Sequence, residues 1–285
     1  MVTLYQEARA ALRDPAFHAQ KRLGQNFLVE QGVIDAIVRL SDLSPTDEVL
    51  EIGPGLGFLT RRLVERARRV WAVEIDPFLV DRLRESPLSA HPAFHLIPGD
   101  ILKIPLADFL PGHKVKLVAN LPYSISTPVL FRLFEYRERF SSLILMLQKE
   151  VAERIAAAPG TKSYGTLSVW RAIHGQVLAK FPVSPGAFVP RPKVYSTVLK
   201  IGLYEEPLVS AAEMPLLHKV VRAAFGQRRK TMTNALAGLL SNERKKAEPL
   251  LQQQGIDPRR RGETLDAEEF IRLSRAIQAV SEESI

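Results

Sequence analysis

The chain predicts an α/β fold: a largely parallel sheet with helices on both faces, followed by a smaller all-helical domain. Three features lead there. Short apolar runs alternate with amphipathic stretches from residue 49 onward, a glycine-rich turn closes the first run, and strand-like runs stop near residue 205. The runs are "VLEIG" (49–53), "VWAVEID" (70–76), "FHLIPGD" (94–100), "VKLVAN" (115–120) and "SLILMLQ" (142–148), with helical patterns such as "FLTRRLVERA" and "PFLVDRLRE" between them. Strands alternating with helices of this length build a parallel sheet buried on both faces. "GQVLAKFPV" and "TVLKIGL" add two late extended runs, close enough in sequence to pair antiparallel at one edge. After "LYEEPLVS" the period becomes helical, in "LLHKVVRAAF", "TMTNALAGLL", "RKKAEPLLQQQ" and "AEEFIRLSRAIQAV". The expected organisation is a flexible extension over residues 1–20, an α/β domain over 21–207 and a helical domain over 208–285.

Composition narrows the function classes. At 285 residues, 46% hydrophobic and 25% charged, the chain reads as an ordinary globular protein. Its longest apolar run, "LILML" at 143–147, is far short of the ~20 residues that span a bilayer. The first twenty residues lack a signal-peptide core and carry Glu7 and Asp14, so a cytoplasmic location is expected. With no cysteine, disulfides and thiolate metal sites are excluded. His91 and His95 are interrupted by Pro92 and lack a third ligand, so no metal is expected. The formal charge of +8 favours polyanionic partners, chiefly nucleic acid.

The turn "EIGPGLGFLT" places Gly53, Gly55 and Gly57 between a strand and a helix, where a backbone must turn sharply and approach a ligand. Phe58 stands where a dinucleotide fingerprint needs its third glycine, which argues against a nicotinamide dehydrogenase. Glu74 ends the second run, where doubly wound folds place a carboxylate for ribose hydroxyls, and Asp100 ends the third, where it can accept from an exocyclic amine. A bare glycine turn beside two solvated carboxylates is the plainer reading. Features converging on successive strand ends favour instead a nucleoside cofactor without a pyrophosphate, of which S-adenosylmethionine is the obvious one.

"NLPY" (120–123) follows the fourth run and reaches the same edge. Pro122 stiffens the turn, while Asn120 and the Leu121 carbonyl can hold a planar amine by its two hydrogens. Tyr123 offers a ring on which a base can stack. An adenine N6 is a poor nucleophile because its lone pair is delocalised; two acceptors favouring a pyramidal nitrogen would free it toward a methyl sulfonium.

With these residues in view, the chain resembles the ribosomal RNA adenine N6,N6-dimethyltransferase family, most closely its bacterial small-subunit (KsgA-type) branch. The matching segments are "KRLGQNFL" (21–28), "VLEIGPGLGFLT" (49–60), "VEIDP" (73–77), "GDIL" (99–102), "NLPYSISTPVL" (120–130), "MLQKEVAERI" (146–155), "YGTLSV" (164–169) and "FPVSPGAFVPRPKVYSTV" (181–198). "AAFGQRRKTMTNAL" (223–236) and "ETLDAEEFIRL" (263–273) match more loosely. The resemblance implies a Rossmann-like class I methyltransferase sheet with a C-terminal helical domain. It also implies two methyl transfers to each of two adjacent adenines in a hairpin near the 3′ end of 16S rRNA, during small-subunit biogenesis. By motif match it puts S-adenosylmethionine on Asn26, Leu28, Gly53, Gly55, Glu74, Ile75, Asp100, Ile101 and Asn120. It puts the target adenine on Asn120, Leu121, Pro122 and Tyr123, with Phe188 as a second stacking ring. The base must be extruded to reach such a pocket.

Residues 219–246 hold eight Lys or Arg (219, 222, 228, 229, 230, 244, 245 and 246) against one acid, Glu243, and "RRR" at 259–261 adds more. If the helix near 215 continues, Lys219, Arg222, Arg229 and Lys230 fall near one face. Beside a base-modifying pocket these cations are expected to track the phosphates of 16S rRNA in the immature small subunit. Nothing in the sequence asks for more than a monomer. Two other readings stay open: an Erm-type methyltransferase of 23S rRNA, which shares the glycine loop and the NLPY-like turn, and a non-catalytic assembly factor retaining the fold.

Overall fold

The computed structural model describes residues 2–15, 25–226, 229–240 and 244–282. The chain divides into two compact units, 1–152 with 176–203, and 153–175 with 204–285.

In the first unit the strands are β1 (Phe27–Leu28), β2 (Glu48–Ile52), β3 (Arg69–Glu74), β4 (Phe94–Pro98), β5 (Val115–Asn120), β6 (Phe140–Gln148), β7 (Gly175–Val183), β8 (Phe188–Val189) and β9 (Ser196–Leu203). Seven of them form one sheet in the order β4-β3-β2-β5-β6-β9-β7. The pairs β2–β3, β3–β4, β2–β5 and β5–β6 are parallel, whereas β9 runs antiparallel to β6. β7 lies beside β9 at the edge, where the two late extended runs were expected. All five residues of β2 are buried, as a central strand covered on both faces requires. Strand order reverses between β2 and β5, and ligands of open α/β sheets bind at that point, beyond the carboxyl ends.

Helices α1 (Leu4–Arg13), α2 (Gln31–Ser41), α3 (Phe58–Val64), α4 (Pro77–Glu85) and α5 (Ser126–Glu135) belong to this unit. The first twenty residues, expected to be a flexible extension, contain the whole of α1. A reciprocal cap starts it: the Thr3 hydroxyl accepts from Gln6 N (3.2 Å) while Gln6 Oε1 accepts from Thr3 N (2.9 Å). Ala8 and Ala11 are buried, and Glu7 makes a two-pronged contact to Arg61 at 3.2 and 2.9 Å. Leu4 and Leu12 extend this apolar face and pack partly against the core. Of "KRLGQNFL", residues 21–24 lie outside the described residues.

α6 (Lys149–Ala156) runs from the first unit into the second, whose further helices are α7 (Thr166–His174), α8 (Met214–Gly226), α9 (Met232–Ala237), α10 (Arg244–Gln253) and α11 (Ala267–Glu282). Val169, Leu217, Val220, Leu236, Leu251, Phe270 and Leu273 form its buried interior. Here the structure draws the boundary differently from the sequence, which kept 153–175 with the sheet. Trp170 on α7 packs its ring 5.5 Å from His218 of α8, a long-range contact that sequence contiguity hides. α8 also stops at Gly226, so Arg229 and Lys230 do not continue the face carrying Lys219 and Arg222. Glycine is a poor helix former, and Thr231, in extended conformation, caps a new helix instead. Arg228 and the side chains of Arg244 and Lys245 lie outside the described residues.

The three glycines after β2 all adopt left-handed backbone, with φ of +69°, +60° and +78°. At Gly57, the cap of α3, a Cβ would also come within 2.7 Å of Leu88 Cδ1 and 3.1 Å of Leu83 Cδ2. Gly57→Ala therefore combines left-handed strain with overpacking, and we expect a loss of roughly 2–4 kcal/mol in urea or thermal unfolding.

Candidate active site

Beyond the carboxyl ends of β2, β3, β4 and β5 lies a cavity of about 390 Å³. Asn26, Leu28, Gly53, Gly55, Glu74, Ile75, Asp100, Ile101, Asn120, Leu121, Pro122 and Tyr123 all line it. The chain thus brings together residues drawn from five separate segments of sequence. Phe188 is the exception. It does not line the cavity and is 3% exposed, paired with Leu28 across the short β1–β8 ribbon.

Glu74 organises one wall. One carboxylate oxygen accepts from Gly55 N (3.1 Å), and the other from Ile75 N (2.9 Å) and Asp76 N (3.0 Å). Burial pushes its pKa up, and the three backbone donors only partly offset this. Asp76 next accepts from Phe78 N and caps α4, with Pro77 at the first helical position. Ile75 between them stays 44% exposed although it sits in the cavity wall, an apolar side chain open to a planar ligand. Asp100 uses Oδ1 to accept from Leu102 N at 2.9 Å, and its Oδ2 has the exposed Lys103 ammonium at 3.9 Å.

The opposite wall is the NLPY turn. Leu121 is fully buried and its N–H donates to Met146 of β6 (3.2 Å). The Pro122 carbonyl is taken twice, by Ile125 N (3.1 Å) and by the Ser126 hydroxyl (3.0 Å). Asn120 donates from Nδ2 to the Asn26 carbonyl at 3.3 Å, which commits its nitrogen to the protein and leaves its oxygen as the acceptor for a ligand. The Tyr123 and Ser196 hydroxyls share a hydrogen bond of 2.7 Å, so the ring is held at both ends. Burial raises the Tyr123 pKa, keeping the phenol neutral.

Gln25 and Glu51 also line the cavity, although nothing in the sequence reading placed them there. Gln25 donates from Nε2 to Asp76 at 2.6 Å, while its buried Oε1 faces no protein donor. Glu51 is a carboxyl only 2% exposed in mid-strand, with one oxygen lacking a hydrogen-bond partner. Burial, aided by the nearby Glu74 charge and opposed by the Thr60 hydroxyl, pushes its pKa up to about 8. A signal for Glu51 existed: an acid at a position of "VLEIG" that must be buried from both sides. Gln25 left none, because its partner is 51 residues away. Among the described residues, no group of three or more His, Asp or Glu side chains is placed to hold a metal ion.

A mostly parallel sheet with a left-handed glycine loop, a buried carboxylate at the end of β3 and an Asn-Leu-Pro-Tyr turn at its switch point defines a class I methyltransferase fold. Solved structures agree. A dimethyladenosine transferase from Plasmodium falciparum superposes with a TM-score of 0.75 at 26% identity, over 90% of this chain and 98% of that one. The 23S rRNA methyltransferase ErmE superposes at 0.66 and 29% identity, over 89% and 100%. The family model for ribosomal RNA adenine dimethylases matches residues 16–279, and the chain belongs to that family. The ribosomal RNA small subunit methyltransferase A of Geobacter metallireducens is 46% identical, covering 94% of this chain and 99% of that protein. Its namesake in Shouchella clausii is 43% identical, over 94% and 93%.

Glu51 has a folded-state pKa of about 8, above the ordinary 4.5, so the folded chain holds a proton that the unfolded chain has released in between. Stability attributable to this group therefore falls as pH rises through that window. We expect Glu51→Gln to raise the melting temperature at pH 8.5 and to lose that advantage toward pH 5. Each unit of the shift corresponds to ~1.4 kcal/mol, so the gain at high pH is several kcal/mol at most.

Proposed function

We propose that this chain transfers methyl groups from S-adenosylmethionine to N6 of two adjacent adenines, twice each, in a hairpin near the 3′ end of 16S rRNA. We further propose that it acts as a cytoplasmic monomer on the immature small subunit. The names of its sequence relatives support the small-subunit target, and the observation that carries the chemistry is the orientation of Asn120.

The cavity residues fit the cofactor. Gly53 lines the cavity, and a Cβ there would meet no atom within 4 Å, so that side of the loop is open to a ligand. Glu74 keeps lone pairs for ribose hydroxyls, the exposed face of Ile75 suits an adenine ring, and Asp100 can accept from its exocyclic amine. Leu28, Gly55, Ile101 and the Asn26 backbone complete the walls. Once bound, the cofactor supplies an electrophilic methyl group on a sulfonium.

The rest is positioning. Asn120 Oδ1 and the Leu121 carbonyl accept the two hydrogens of the target amine and favour a pyramidal nitrogen whose lone pair points at the methyl group. Because the Pro122 carbonyl is already occupied within the turn, it does not compete for the amine. Tyr123, tethered through Ser196, gives the extruded base a fixed ring to stack on. The amine proton leaves only after the carbon–nitrogen bond forms, when the nitrogen is cationic and acidic, so a neutral Asn suffices. Phe188 serves as a second stacking ring only if the β1–β8 ribbon uncovers it. The exposed cations Lys219, Arg222, Arg229, Lys230 and Arg261 supply phosphate contacts, whereas Arg259 is paired with Asp257 at 3.1 Å and Arg260 with Glu269 at 2.5 and 2.9 Å.

The fold likeness to ErmE gives large-subunit RNA as the competing target. Incubation with labelled S-adenosylmethionine and unmethylated small-subunit particles, with large-subunit RNA in parallel, should yield dimethyladenine in small-subunit RNA only. Asn120→Ala should lower the rate by ~10²–10³-fold, the cost of losing one preorganised electrostatic contact. Label in large-subunit RNA would move the chain to the Erm-type reading, and binding without label would make it an assembly factor.

A further inference from the structure

Between β8 and β9 the chain crosses the ligand edge of the sheet as "PRPKVY", residues 190–195. Its surface is unusual. Val194 is 43% and Tyr195 55% exposed, the only consecutive pair of exposed large apolar side chains among the described residues. Arg191 and Lys193 beside them are also exposed, and neither makes an ion pair among the described residues. Leaving a tyrosine and a valine in water forgoes burial that a folded domain normally uses.

The stretch is nevertheless held in place. The Tyr195 carbonyl accepts from Lys149 N at 2.9 Å, where β6 gives way to α6. The next residue, Ser196, pairs with Gln148 across β6–β9 and shares its hydroxyl with Tyr123. β6 is parallel to β5, and Met146 stands opposite Asn120. One hydrogen bond and one peptide unit thus connect Tyr195 to the ring proposed to hold the target base. A backbone-anchored aromatic on the rim of a base pocket, flanked by two unpaired cations, matches a nucleic-acid strand in both charge and stacking.

We propose that residues 191–195 form an RNA-contacting rim of the site. Tyr195 stacks on a nucleotide next to the extruded adenine, and Arg191 and Lys193 meet the flanking phosphates. Extrusion removes a base from its stack and leaves its neighbour with an uncovered face, which Tyr195 covers. The inference rests on the proposed RNA target and names a substrate contact outside the cavity.

The test compares the full chain with Tyr195→Ala, Tyr195→Phe and the double variant Arg191→Ala/Lys193→Ala. Equilibrium binding to unmethylated small-subunit particles is measured over a salt series, and methyl transfer separately. Tyr195→Ala should weaken binding about 5- to 150-fold, the span of one lost base–aromatic stack, with Tyr195→Phe restoring it. The double variant should flatten the salt dependence by roughly two phosphate contacts. Affinity for S-adenosylmethionine and the melting temperature should not move. Unchanged particle binding and an unchanged salt slope in these variants would overturn the rim. Tyr195-dependent binding without methyl transfer by the parent chain would keep the rim and overturn the proposed reaction.

Discussion

The site depends on the carboxylate of Glu74. By accepting from Gly55, Ile75 and Asp76 it ties the glycine loop after β2 to the turn that starts α4. Both pieces meet at the place where strand order reverses, so a single side chain sets the spacing of two ligand-facing loops. Three backbone donors on a nearly buried carboxylate partly offset its lost hydration, and burial, with the Glu74 charge nearby, raises the pKa of Glu51 one strand inward.

The NLPY turn solves a different problem, that of presenting acceptors without presenting flexibility. Its backbone groups are spent within the fold: Leu121 N on β6, the Pro122 carbonyl on Ile125 and Ser126. What remains at the cavity wall is the Asn120 oxygen, the Leu121 carbonyl and the Tyr123 ring. The partner that orients Asn120 is a backbone carbonyl from the N-terminal "QNFL" segment, which is why that segment belongs to the site although it precedes the sheet. Phe27 of the same segment packs against Gly55, where a Cβ would lie 3.3 Å from its ring. One stretch of extended chain therefore touches both walls.

Much of this was legible in the residues themselves. The glycines were expected to make a sharp turn and do so in left-handed backbone, and the acids at the ends of "VWAVEI" and "IPGD" fall in the wall where successive strand ends converge. The motifs of the family place twelve of the thirteen expected site residues around one cavity, Phe188 being the one outside. What escaped depends on distance. Gln25 meets Asp76 and α7 meets α8 across many intervening residues. The continuous basic face expected from Lys219 to Lys230 ends at Gly226, because helical periodicity says nothing about where a helix stops.

By itself the sequence determined the α/β order, the glycine turn and acids at successive strand ends, and the turn that marks the family, since each follows from local backbone needs or short-range spacing. Only the tertiary structure decided that the Asn120 nitrogen is engaged while its oxygen faces the cavity wall, which backbone donors Glu74 takes, which ring is tethered and which stays in solvent. Those outcomes are hydrogen-bond assignments between segments tens of residues apart, and they exist only once the strands have been brought side by side.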